Sequence, residues 1–147
     1  MRILKGKHAT LKQVDEDLYL EARSQLHPEE TDATINVYGI LTAEDDVVIH
    51  GSIESSEAFF GNNCHVKGSV ITGGIRTGVG FKAHHIKAGE GAEIGANAEI
   101  EKIDAVDDLT IGSRSHIRHA ASERGAVVLG ADVRVDVLEA AKGTRRS

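Results

Sequence analysis

Glycine punctuates this sequence at a fixed interval. Gly61, Gly78, Gly95 and Gly112 stand 17 residues apart, and Gly130 follows after 18. Cut at those positions, with a first cut at Glu44, the segments align in five further columns. The fourth position reads Val47, Cys64, Phe81, Ala98, Ser115, Val133, and the sixth reads Ile49, Val66, Ala83, Ile100, Ile117, Val135. The fifteenth holds Ala58, Ile75, Ala92, Leu109 and Ala126; the seventeenth holds Phe60, Thr77, Ile94, Ile111 and Val128. Near the ninth or tenth come Ile53, Val70, Ile86, Ile103 and Ala120. Five aligned columns mark a structural repeat.

Within each segment the apolar positions alternate with more polar ones, which is the period of a strand. Three short strands in 17 residues leave no room for hairpins, but they wind into a solenoid. Each strand then pairs with its equivalent one coil on, about 4.8 Å away, and like columns stack inside as ladders. The sequence therefore predicts an all-β, single-stranded β-helix of about six coils of 17–18 residues, from Ile35 to Leu138. A coil of that length suits either hand.

Composition agrees. Aromatic residues are 3% of the chain, so the core is aliphatic, and 16 glycines against one proline fit repeated tight corners. At 147 residues the chain is one domain's worth. No apolar run approaches the roughly 20 residues of a membrane helix, and the start, Met1 to Lys5, is too short in its apolar part for a secretory signal. The single cysteine excludes an intramolecular disulfide framework. A net charge of −6 argues against bulk nucleic-acid binding. A cytoplasmic protein is expected.

The ends read differently. Residues 1–34 lack the glycine register and are expected to form a head or cap segment. Thr10 to Gln13 has capping-box spacing, and Leu11, Val14, Leu18 and Ala22 fit a helical stripe that Pro28 would stop. A competing reading aligns Leu18 and Leu20 with Ile35 and Val37, 17 residues on, as one more coil. Residues 139–147 read as a flexible basic tail.

The stretch from Val47 to Val70, with Gly51-Ser52-Ile53 and Gly68-Ser69-Val70, resembles the core repeat of the bactofilins, roughly V-x-G-x-I once per coil. The resemblance covers residues 35–100 closely and 101–138 more loosely. It implies a right-handed β-helix whose coils stack end to end into non-polar cytoskeletal filaments without nucleotide. It also implies a cytoplasmic scaffold, often peripheral at the membrane, that recruits cell-shape or envelope-associated proteins. A second resemblance is to the hexapeptide-repeat proteins, left-handed β-helices built on [LIV]-G-x-x-[AVCS]-x. Ile94 to Glu99, Ile111 to His116 and Leu129 to Arg134 fit that pattern, which here recurs once per coil rather than on every face. That family holds trimeric acyltransferases and zinc carbonic anhydrases.

No catalytic set emerges, and no cofactor is expected. Cys64 and Ser115 fall in inward columns, and Gly73-Gly74 and Gly78-Val79-Gly80 read as corners, with no Gly-Lys-Ser/Thr to make a phosphate loop. His50, His65 and His84 zigzag outward over three coils and are the candidate metal ligands. His50 and His84, however, lie two strand spacings apart, about 9.6 Å, so solvated histidines are the expected reading. The outward face also carries Lys67, Lys82, Arg118 and Arg134, the candidate contact for a membrane surface or an acidic partner.

The tube's ends carry the stronger argument, because terminal coils leave backbone groups unpaired. Val133, Val135, Val137 and Leu138 at one end, and Ile35, Val37 and Ile40 at the other, are the candidate self-association surfaces. The expected partner is therefore the protein itself, as dimer or filament, and the expected role is structural.

Overall fold

A computed structural model describes residues 1–146, all β, with parallel strand pairing throughout and no helix among the described residues. The first coil comprises β1 (Arg2–Ile3), β2 (His8–Leu11) and β3 (Gln13–Val14); the second, β4 (Leu18–Leu20), β5 (Gln25–Pro28) and β6 (Thr34–Val37). The third comprises β7 (Ile40–Ala43), β8 (Val48–Ile49) and β9 (Ser52–Glu54). From the fourth coil on, the second and third segments merge into one long strand. These coils are β10 (Glu57–Phe60) with β11 (His65–Thr72), β12 (Gly74–Thr77) with β13 (Lys82–Ala88), and β14 (Ala92–Ile94) with β15 (Glu99–Ala105). Then come β16 (Leu109–Ile111) with β17 (His116–Ser122), β18 (Val127–Leu129) with β19 (Arg134–Ala140), and β20 (Thr144–Arg146).

One sheet stacks β1-β4-β7-β10-β12-β14-β16-β18-β20, so the solenoid has about nine turns rather than six. The other runs β19-β17-β15-β13-β11-β8-β5-β2, with β3, β6 and β9 completing its first coils. The expected ladders are inside. Leu26, Ile49, Val66, Ala83, Ile100 and Ile117 stack in one column, and Ile35, Ile53, Val70, Ile86, Ile103 and Ala120 in another, all buried. Side-chain volumes compensate along a column: buried Phe81 lies between the small residues Cys64 and Ala98, and its ring meets that of Phe60 at 4.8 Å.

Two corners explain the missing turns. In the second coil, six extra residues widen the spacing, so Leu18 pairs with Leu41 and Leu26 with Ile49, 23 residues on. The proposed 17-residue pairing of Leu18 and Leu20 with Ile35 and Val37 does not occur, nor does the helix. The second and third coils also carry glutamate at the glycine corner: Glu21 bonds back to Ile3 and Glu44 to Leu20, as Gly61 does to Ala43. At the other end, the expected tail pairs as strand, Ser122 with Ala140 and Val127 with Thr144. The 18-residue coil is also lengthened earlier than the glycines suggest. Leu109 pairs with Val127 and Ile111 with Leu129, so Val127 and Leu129, not Ala126 and Val128, continue their ladders.

The repeated glycine is set by close approach. A Cβ on Gly95 would lie 2.6 Å from the carbonyl carbon of Gly78, and one on Gly112 would lie 2.5 Å from that of Gly95. The left-handed residue comes two positions after that glycine and is often Asn or Asp, as at Asn63 (φ 57°) and Asn97 (φ 58°), residue types that tolerate it.

Candidate interaction surfaces

Between the inward ladders of the second sheet, side chains project to solvent in two outward columns. One runs His8, Gln25, Val48, His65, Lys82, Glu99, His116, Arg134. The other lies two residues on in each coil and includes His27, His50, Lys67, His84, Glu101, Arg118 and Asp136. The four expected cations are all here, but three of them are paired. Lys82 Nζ lies 3.5 Å from Glu99, Arg118 3.2 Å from Glu101, and Arg134 3.4 Å from Asp136. Only Lys67 of the four has no ion pair among the described residues. The face therefore divides: mixed charge toward the C-terminal coils, histidine and lysine toward the N-terminal ones.

The candidate metal ligands His50, His65 and His84 are not gathered into a group that could hold a metal ion. His50 stacks instead on His27, with ring centroids 4.3 Å apart and planes 4° from parallel, while His27 Nε2 and His8 Nδ1 share a hydrogen bond of 3.0 Å. His50 Nε2 donates to Gln25 Oε1 at 2.6 Å, which fixes that imidazole. Burial, then Lys67 and the neighbouring histidines, hold His50 below the ordinary histidine value; burial, then Lys67 and Lys82, do the same to His65. Among the described residues, no group of three or more His, Cys, Asp or Glu is arranged to hold a metal ion. Sequence reasoning passed over His27 because the insertion places it 23 residues from His50, outside the 17-residue register. The other two histidines lie further along the same strands, against carboxylates: His85 on Asp104 at 2.9 Å and His119 on Glu139 at 3.4 Å.

Neither inward nucleophile is poised to react. The Cys64 thiol donates to the Glu44 carbonyl at 3.1 Å, and burial pushes it up to about 11. Buried Ser115 donates to the Gly95 carbonyl at 3.3 Å and accepts from the Ala98 amide at 3.1 Å.

At the rims, β2 pairs only with β5, β1 only with β4, β19 only with β17 and β20 only with β18. Of the residues expected at the ends, Val135 and Leu138 do pack half-buried on the outer edge, while Val133 is buried beneath them and Val137 points outward, 51% exposed. At the opposite end the expectation needs correction. Ile35 and Val37 are buried in the second coil, with β3 stacked above, and Ile40 faces outward. The half-buried apolar rim there is Ile3, Ala9 and Leu11.

Compared with known families, curated proteins and solved structures, the chain shows no significant match to any. A β-solenoid is compatible with a bactofilin and does not identify one.

Proposed function

We propose that this chain is a non-enzymatic structural scaffold of the bactofilin type, which assembles by stacking solenoid ends. The observation that carries this reading is the one-sided pairing of the terminal strands. β1 and β2 at one end, and β19 and β20 at the other, present backbone N–H and C=O groups with no partner strand among the described residues. Each such edge surrounds half-buried aliphatic side chains: Ile3, Ala9 and Leu11 at one end, Val135 and Leu138 at the other. An open, regular β edge around an apolar centre is a template for another chain. The inward placement of Cys64 and Ser115 leaves the two candidate nucleophiles no access to substrate.

Electron microscopy and light scattering of the purified protein test the reading. Elongated particles of several solenoids are expected. Val135→Lys, which sets a charge in the C-terminal rim, should shorten them while circular dichroism still reports β structure. Particles that stay single solenoids as concentration rises, or compact trimers of the hexapeptide-repeat kind, sink it.

A further inference from the structure

The N-terminal half of the outward face is a histidine strip. His8, His27, His50, His65 and His84 lie there with Lys67 and Lys82, spread over five consecutive coils. Strand spacing makes such a strip about 20 Å long. Within its two columns the nearest carboxylates are Glu99, held by Lys82, and Glu101, held by Arg118. Glu29 and Asp32, on the corner loop of the second coil, border the hollow that His27, His50 and Lys67 line. The remaining members of the two columns over these coils, Gln25, Thr10 and Val48, are neutral, while Lys7 adjoins His8 and the His85–Asp104 pair adjoins His84. With neutral imidazoles the strip carries Lys67 and Lys82 alone; fully protonated, it carries seven positive charges.

We propose that this strip is a proton-gated docking surface for an anionic lipid bilayer. The chain as a whole bears −6 and is repelled by such a membrane at neutral pH, so one charged face both permits approach and orients it. Its two columns run side by side over the five coils with no carboxylate among their members, and such a band of cations complements an array of anionic headgroups. The partner also drives the gate: a negatively charged surface concentrates protons roughly threefold over bulk. Histidines that repel one another in free protein gain their counter-charges at the bilayer. Mildly acidic pH therefore strengthens binding.

Sedimentation with vesicles of phosphatidylcholine alone, or containing phosphatidylglycerol, tests this at pH 7.5 and 5.5. Binding to the anionic vesicles should rise by roughly fivefold or more for each histidine that charges, with no binding to neutral vesicles. Replacing His27, His50, His65 and His84 together by Gln should cut the rise to the roughly fivefold that His8 alone supplies. Lys67→Glu alone, an exposed change that spares the imidazole stack, should weaken binding at both pH values. The control His85→Gln with His119→Gln should bind as the parent does. Binding that is indifferent to pH, unchanged in the fourfold variant, or equally lost in the control overturns the proposal. So does equal binding to a soluble polyanion such as polyphosphate, which would mean charge attraction without a bilayer. Running the same assay on the Val135→Lys variant, and subtracting protein that pellets without vesicles, separates the strip's binding from assembly of the ends.

Discussion

Inside a tube this narrow, each side chain is fitted to the residue one coil above and one below. Phe81 is the largest fully buried side chain, and it occupies the column that Cys64 and Ala98 leave open. Interiors pack at crystal-like density, so its loss leaves a void that the rigid ladders cannot close. Phe81→Ala is expected to destabilise by about 3–5 kcal/mol, read by urea unfolding. A loss below ~1 kcal/mol would mean that the column collapses freely. Cys64 gives a second residue-level check. With the thiol pushed up to about 11 and buried, thiolate at pH 8 is scarce and sheltered. Native protein should react with a thiol reagent roughly 100-fold more slowly than protein in denaturant. Fast modification without unfolding would place the side chain outside the core.

At the scale of strands and corners, the inward ladders were legible because alternation and recurrence agree at five positions of each coil. Val47, Cys64, Phe81, Ala98 and Ser115 align whatever their size, since a fixed backbone register needs only an inward side chain that fits. The N-terminal coils were hidden for two local reasons. Glu21 and Glu44 replace the corner glycine, and Glu44 is held there by the Tyr19 hydroxyl and the Ala22 amide. The insertion before β6 then breaks the spacing, because a corner loop absorbs extra residues at little cost while the strands keep their register. The same insertion concealed the meeting of His27 with His50, so the candidate site was legible as a face and not as a stack.

The burial of His50 and His65, with Lys67 near both, makes stability depend on pH in a definite direction. His50 and His65 are held below the ordinary value when folded, so the unfolded chain takes up protons first as pH falls. Stability should be level above about pH 6.5 and decline as pH drops through and below that value. Lys67→Met removes a cation that opposes charging of both, and should make the decline shallower. Denaturant midpoints at pH 7.5 and 5.5 for the two proteins check the sign; a parent protein stabilised by acid contradicts it.

For the whole molecule, the proposed assembly turns on which rim meets which. Head-to-tail stacking of β1 on β20 would continue the first sheet in parallel but leave β2 a strand short of β19, and in unbroken register would set Arg145 of β20 beside Arg2 of β1, like charges in adjacent strands. Stacking like end on like end places the two edge strands antiparallel around a two-fold axis, a slightly more stable pairing that makes the contact self-complementary. The alternating arrangement is therefore the expected one, and single-rim variants distinguish the two. If ends pair with their like, Leu11→Lys should leave dimers joined through the C-terminal rim, Val135→Lys should leave dimers joined through the N-terminal rim, and only the double variant should be monomeric. If stacking is head-to-tail, either single substitution already yields monomers. Sedimentation velocity on the three variants reads the difference directly, and monomers from both single variants would make the filament polar.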